Sequence, residues 1–171
     1  MNRNTLRTIF GFCATMIRKF TGLSLRGNRP EAVYNYRQIN EQLHTSGQPT
    51  EGQFVAIHAA GFDRVVNLAP AGAENALPDE AAILERLGID YIHIPVHFKH
   101  PAEEDFARFS AVLAKQGDKP IWIHCAANMR VSAFVYRYRR DVLGEDEATI
   151  AADLQAIWEP FGEWRTFLRW R

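Results

Sequence analysis

A chain of 171 residues has room for one domain and a short extension, and its apolar fraction of 47% is ordinary for a globular protein. It contains 20 basic and 20 acidic residues, and this neutral balance without a recognisable module argues against nucleic-acid binding. No stretch reaches the roughly 18 consecutive apolar residues that a membrane-spanning helix needs. The two cysteines, Cys13 and Cys125, are too few for a disulfide framework, so we expect free thiols and a cytoplasmic protein.

The first thirty residues are basic and contain no acidic side chain. Apolar side chains from Leu6 to Phe20 recur at helical spacing, which predicts a basic amphipathic helix. Such a helix can bind an anionic membrane surface, here at the inner face of the membrane, or can pack on its own domain or on a second copy, or can stay a partly disordered tail. Glycine, serine and proline between Leu23 and Pro30 predict a linker. We therefore expect a basic arm with its linker over residues 1–30 and one domain over residues 31–171.

Strands and helices alternate through the rest of the chain. The predicted strands are Gln38–Thr45, Phe62–Leu68, Tyr91–Val96 and Pro120–His124. The predicted helices are Thr50–Ala60, Pro78–Leu87, Pro101–Lys115 and Val131–Leu143, followed by helical stretches at about 145–158 and 160–170. This alternation favours an α/β fold with a mostly parallel sheet of four to five strands, flanked by helices. Ligands of such folds bind beyond the carboxyl ends of the strands, and the residues after His124 occupy such a place.

Cys125 follows the predicted strand that ends at His124, and Arg130 comes five positions later, just before a predicted helix. The helix amino terminus, the loop N–H groups and the arginine guanidinium all favour a thiolate and all bind phosphate oxygens. The alternative is a buried cysteine that packs as a small apolar side chain. An arginine buried at a strand end needs an anion, and this need favours an anion-binding loop.

The segment His124-Cys125 with Arg130 and Ser132 resembles the signature loop of cysteine-based tyrosine and dual-specificity protein phosphatases. The segments Leu43–Pro49, Phe62–Leu68 and Tyr91–Val96 resemble, in the same order, those of a small bacterial tyrosine-phosphatase-like family related to domains fused to metallo-β-lactamase-like hydrolases. The resemblance spans residues 36–143. It implies a phosphatase-like catalytic domain without metal or organic cofactor, in which Cys125 forms a phosphocysteine. The implied phosphate-binding residues are Ala126, Ala127, Asn128, Met129 and Arg130.

The loop departs from the phosphatase pattern in its length. Four residues separate Cys125 from Arg130, where tyrosine phosphatases usually have five, and four is the spacing of rhodanese-type sulfur transferases. The loop also lacks glycine, so Asn128 is the best candidate for a left-handed backbone conformation. Two alternatives to a phosphatase therefore stay open. One is a rhodanese-like sulfur transferase, and the other is a catalytically weak phosphate-binding adaptor.

The general acid also departs from the family pattern. Related sequences tend to carry an aspartate just after the Ile-Pro-Val strand, and this chain has His97 there. A histidine can protonate a leaving oxygen near neutral pH, although His97 can equally be a surface residue without a role. His100 and Asp105 are weaker candidates. Ser132 either stabilises the thiolate or caps a helix, and His124 is expected to orient loop carbonyls.

These residues predict a phosphomonoester hydrolase that acts on phosphotyrosine or with dual specificity. The expected substrate is a phosphorylated protein or a small phosphomonoester. The histidines are scattered and show no metal-ligand spacing, so we expect no metal site. The oligomeric state is open.

Overall fold

A five-stranded sheet forms the centre of the structure, a computed structural model that describes residues 2–21 and 27–170. The strands are β1 (Arg37–Gln38), β2 (Leu43–Ser46), β3 (Arg64–Asn67), β4 (Asp90–His93) and β5 (Ile121–His124). They lie in the order β1-β2-β5-β3-β4, with β1 antiparallel to β2 and the other pairs parallel. The predicted α/β fold with a mostly parallel sheet is confirmed.

Seven α-helices surround this sheet within the described part of the chain. They are α1 (Arg3–Thr21), α2 (Glu51–Ala59), α3 (Glu80–Arg86), α4 (Glu103–Ala114), α5 (Met129–Asp141), α6 (Glu147–Gln155) and α7 (Glu163–Leu168). Thr50 caps α2, because its hydroxyl accepts the N–H of Gln53 and the Gln53 side chain accepts the N–H of Thr50. Helix α5 begins two residues earlier than predicted, so Met129 and Arg130 belong to its first turn.

The single predicted strand Gln38–Thr45 is wrong, because the chain reverses inside it. The side-chain oxygen of Asn40 accepts hydrogen bonds from the N–H groups of Gln42 and Leu43, at 2.9 and 2.7 Å. An asparagine that bonds its own backbone in this way favours a tight turn over an extended strand. The segment is therefore a short hairpin in which Arg37 lies opposite Thr45.

The two faces of the sheet are covered by different helices. Ile121 and Ile123 of β5 pack into a core shared with side chains of α4, α5, α6 and α7. Trp122, between them, packs into a second core with side chains of α2 and α3. Alternate residues of a strand point to opposite faces, so β5 is buried on both sides, as a central parallel strand should be. This burial holds the carboxyl end of β5 in a fixed position.

Helix α1 packs against the segment between α6 and α7. Its side chains donate hydrogen bonds to three consecutive backbone carbonyls there, at 2.7 to 2.9 Å. The pairs are Asn4 with Gln155, Arg7 with Ala156 and Thr8 with Ile157. Packing on its own domain is thus one of the arrangements that the sequence left open, and the membrane contact stays a prediction. No helix among the described residues is long and apolar enough to cross a membrane. The predicted linker from Leu23 lies outside the described residues until residue 27.

A glycine allows α1 to approach the domain closely. Gly11 lies against the ring of Tyr34, where a Cβ atom would come within 2.6 Å of a ring carbon. The Tyr34 hydroxyl donates a hydrogen bond to the carbonyl of Thr8, one turn earlier on the same helix. Any larger residue at position 11 would force the helix and the ring apart.

The packing of β3 leads to a prediction with a matched control. Val66 of β3 has 0% of its surface exposed, whereas Val55 of α2 is 50% exposed. The substitution Val66→Ala should lower the free energy of unfolding by about 2 kcal/mol, through lost apolar burial and a residual cavity. Val55→Ala should cause no loss, because it removes little burial and alanine favours helices. Urea unfolding of both variants measures the difference, and equal losses would contradict the described core.

Candidate active site

Cys125 lies where β5 ends and the chain turns toward α5. Cys125 lines a cavity of about 190 Å³ together with Ala126, Ala127, Met129 and Arg130. The structure therefore brings five of the predicted site residues together around one cavity. Both Cys125 and Cys13 are free thiols.

The loop turns into the helix at Asn128, which adopts the predicted left-handed conformation with φ 65°. Asn128 is the N-cap residue of α5, but its side chain does not cap the helix. Its amide instead donates to the carbonyl of Asn35 at 2.8 Å and to the hydroxyl of Thr45 at 3.0 Å. The first N–H groups of an α-helix have no partner within the helix, so the start of α5 offers donors for an anion.

Arg130 stands in the first turn of α5 and is half-buried. Its guanidinium lies over the ring of Phe98, 5.4 Å from the ring centre. Its Nε atom is buried and has no hydrogen-bond partner among the described residues. A buried guanidinium donor without a partner is suited to a phosphate oxygen, which the planar fork of arginine binds well.

Two asparagines outside the loop hold its carbonyl groups. The Asn75 side chain donates to the carbonyl of Ala126 at 2.9 Å, and the Asn35 side chain donates to the carbonyl of Ala127 at 3.1 Å. The N–H of Gln48 also bonds the Ala126 carbonyl, at 3.3 Å. In a trans peptide the N–H points away from the C=O of the same unit. Anchoring these carbonyls therefore fixes the direction of the following loop N–H groups. No local sequence pattern indicated a role for these asparagines.

His124 is fully buried and faces a buried carboxylate. Its Nε2 atom lies 3.3 Å from Oε1 of Glu80 in α3. The same carboxylate accepts hydrogen bonds from the side chains of Asn67 in β3, at 2.8 Å, and of Gln48. His124 was expected to orient loop carbonyls, but its ring nitrogens bond no carbonyl among the described residues and Nε2 faces Glu80, which the sequence analysis did not single out. The group ties the ends of β3 and β5 to α3.

The environment of Glu80 stabilises its charged form. Burial alone would raise the pKa of this carboxyl, but electrostatic attraction to the adjacent His124 ring and the hydrogen bond from Gln48 outweigh it and lower the pKa from 4.5 to about 2. Burial and the nearby Glu80 charge raise the pKa of Tyr91. Glu80 is therefore an ionised carboxylate that contacts Asn67, Gln48 and His124.

The other predicted residues lie less close to the cavity. The Ser132 hydroxyl donates to the carbonyl of Met129 at 3.1 Å and accepts from the indole of Trp158 at 3.2 Å. His97 is exposed and stacks on His100, with ring centres 5.2 Å apart. His97 and Ser132 are not among the residues that line the cavity, although Phe98, next to His97, does. Their catalytic roles stay predictions.

The cavity has walls that the sequence analysis missed. Phe98 forms one side, and its ring is held by contacts with Trp158, Phe161 and Trp164. Thr8, Ile9 and Phe12 of α1 form another side. The helical pattern of α1 predicted a helix but could not show which surface it covers. Within the described residues no three His, Cys, Asp or Glu side chains are placed to hold a metal ion.

The geometry agrees with the comparison to known families. Residues 13–159 match the sequence model of the family described as DSP-PTPase phosphatase fused to NAD+ kinase. The chain belongs to this family. The predicted relation to tyrosine and dual-specificity phosphatases is thereby confirmed.

Solved structures share the fold of this phosphatase-family chain. A DUF442 protein from Shewanella putrefaciens CN-32, described as a candidate phosphatase, is 34% identical, with a TM-score of 0.69 over 80% of this chain and 87% of that chain. The core catalytic domain of the PP-IP phosphatase SIW14 from S. cerevisiae is 15% identical, with a TM-score of 0.66 over 81% and 85% of the two chains. A TpbA variant from P. aeruginosa, solved with phosphotyrosine, is 21% identical, with a TM-score of 0.59 over 75% of each chain. The last two show the fold alone.

A curated relative of the family chain is much longer. The beta-lactamase hydrolase-like protein of Agrobacterium fabrum (strain C58) is 32% identical over 96 residues, which is 54% of this chain but 22% of that protein. The chain therefore spans about a fifth of the length of this relative.

The buried Glu80 carboxylate predicts a specific dependence of stability on pH. Its folded pKa lies below its usual value, so its contribution to stability is present above pH 4.5 and is lost as the pH falls toward 2. Glu80→Gln should lower the free energy of unfolding near neutral pH by about 2 kcal/mol, since an amide nitrogen would then face the Asn67 or Gln48 donor. The deficit should shrink below pH 4.5. Urea unfolding across this range measures it.

Glu85→Gln, an exposed change on the same helix, is the control for Glu80→Gln. It should leave stability nearly unchanged at every pH. A Glu80→Gln deficit that stays constant down to pH 3 would mean that the carboxylate charge does not matter.

Proposed function

We propose that the protein is a cysteine-dependent phosphatase that hydrolyses phosphomonoesters, with phosphotyrosine as the favoured substrate class. The observation that carries the proposal is the shared cavity of Cys125 and Arg130 at the start of α5, where the Arg130 Nε atom is a buried donor without a partner in the described structure. The family membership supports the same chemistry. A TpbA variant has been solved with bound phosphotyrosine, and this supports a proposal of the same substrate class here.

The proposed reaction has two steps. The Cys125 thiolate attacks phosphorus, so an S–P bond forms while the P–O bond to the leaving group breaks. Arg130 and the N–H groups at the start of α5 hold the equatorial oxygens as negative charge spreads over them. Water then attacks the phosphocysteine, which releases inorganic phosphate and restores the thiolate. The loop carbonyls held by Asn35 and Asn75 keep the amides oriented without reorganisation during the reaction.

The leaving oxygen needs a proton, and His97 is the proposed donor. Its ring is exposed beside Phe98, which lines the cavity, so a small loop movement would carry it toward a bound substrate. In this assignment His97 occupies the position at which related sequences tend to carry an aspartate, so a histidine takes the place of the carboxyl acid.

Replacement of the nucleophile tests the proposal directly. Cys125→Ser should abolish hydrolysis of p-nitrophenyl phosphate and of a phosphotyrosine peptide, because the serine hydroxyl is a far weaker nucleophile. Cys13→Ser, which changes the other free thiol, should keep full activity. Phosphate release is the measurement. Hydrolysis that survives in Cys125→Ser would show that the sulfur is not the nucleophile.

The wild-type measurement also separates the alternatives. A sulfur transferase, which the four-residue spacing favours, would take one sulfur atom from thiosulfate onto Cys125, and intact-protein mass spectrometry would detect the added mass. A phosphate-binding adaptor would bind the phosphopeptide without releasing phosphate. Either result, together with the absence of phosphate release, would replace the phosphatase proposal.

The proposed acid leads to a prediction about leaving groups. His97→Ala should slow hydrolysis of phenyl phosphate by about 100-fold but slow p-nitrophenyl phosphate much less, because p-nitrophenolate leaves without needing a proton. His100→Ala is the control. Equal effects of His97→Ala on both substrates would remove His97 from the mechanism.

A further inference from the structure

Helix α1 forms one wall of the cavity that Cys125 lines. Thr8, Ile9 and Phe12 of this helix line the cavity opposite the loop, and Cys125 has 0% of its surface exposed. Two apolar side chains of the domain, Phe98 and Met129, complete the wall. The space above the sulfur is therefore bounded mainly by hydrocarbon, with Arg130 as its charged member.

The helix is also linked to the loop through hydrogen bonds. The Asn35 amide that holds the Ala127 carbonyl also donates to the hydroxyl of Thr8, at 3.0 Å. The Asn75 amide that holds the Ala126 carbonyl also donates to the hydroxyl of Thr15, at 3.2 Å. Thr8 and Thr15 are seven residues apart, so they lie on the same face of the helix, two turns from each other. Each asparagine thus bridges one loop carbonyl to one threonine of α1.

We propose that α1 is a specificity-determining wall of the active site, in which Phe12 packs against a flat apolar leaving group. Asn35 and Asn75 hold the helix in a fixed position relative to the loop. This inference rests on the proposed phosphatase function. A cavity of about 190 Å³ is smaller than the usual pocket for a drug-sized ligand, so it suits a phosphoryl group with one ring. The rings of Phe12 and Phe98 bound it, and an aryl group there exchanges water for aromatic contacts. A charged or strongly hydrated leaving group would lose its hydration without gaining partners.

The first test measures access to the sulfur in a Cys13→Ser background, in which Cys125 is the only thiol. Phe12→Ala should raise the rate of Cys125 alkylation by iodoacetamide about tenfold, because the removed ring opens the wall over the sulfur. Phe12→Leu should raise it less, since leucine restores apolar bulk. Phe10→Ala, on the same helix at a position that is 72% exposed, should leave the rate within about twofold.

Mass spectrometry of the alkylated peptide gives the rate, and far-UV circular dichroism checks that α1 stays folded. Equal rates for Phe12→Ala and Phe10→Ala would overturn the proposal. Equally fast alkylation in Phe12→Leu and Phe12→Ala would also contradict it, because side-chain bulk would then not matter.

The second test measures binding in a Cys125→Ser background by calorimetry, with phenyl phosphonate and methyl phosphonate as ligands of equal charge. With Phe12 present, phenyl phosphonate should bind about tenfold more tightly, through the buried ring. Phe12→Ala should remove this preference and leave methyl phosphonate within about twofold, whereas Phe10→Ala should change neither affinity. An equal loss of affinity for both ligands would show that Phe12 acts on the loop and not on the leaving group.

Inorganic phosphate separates failure of this proposal from failure of the proposed function. If phosphate and both phosphonates fail to bind, the phosphatase proposal fails, and the alkylation rates still decide whether α1 covers the sulfur. If phosphate binds but the phenyl group adds no affinity, the phosphatase proposal survives and the wall proposal is wrong.

Discussion

The turn from β5 into α5 is the constraint on which the site depends. The chain has four residues between Cys125 and Arg130, and one of them, Asn128, takes a left-handed conformation. So short a turn can satisfy few of its own polar groups, and a buried carbonyl without a partner would be costly. The loop therefore relies on donors from distant parts of the chain, chiefly the side chains of Asn35 and Asn75. The conformation of the loop therefore depends on contacts with distant segments of the fold more than on the residues of the loop itself.

Local patterns predicted the elements whose physical cause is local. The alternation of apolar strands and amphipathic helices predicted the sheet and its helices, including α2, whose first turn the structure shows to be capped by Thr50 and Gln53. The left-handed residue at Asn128 followed from steric preference alone. The hairpin at Asn40 was missed because β-branched and apolar neighbours favoured one longer strand, while a single side chain with two backbone bonds decided otherwise.

The sequence predicted that the loop residues from Cys125 to Arg130 lie together, but it did not predict the other residues that line the cavity. Cys125 and Arg130 stand close in sequence, so spacing alone placed them together. Glu80 lies 44 positions before His124 and became visible only when α3 packed beside β5. The walls formed by Phe12 and Phe98 depend on packing between segments far apart in the chain, which periodicity cannot show.

The glycine at position 11 has a consequence for how the molecule is completed during synthesis. Glycine near the middle of a helix lowers its intrinsic stability by roughly 1 kcal/mol relative to alanine, so α1 depends on docking for its order. Its docking surface includes the carbonyls of Gln155, Ala156 and Ile157, which leave the ribosome long after the helix itself. Helix α1 is therefore synthesised early but can dock only after residues 155–157 have been synthesised. A nascent chain therefore contains Cys125 and Arg130 before helix α1 can dock and form its wall of the cavity.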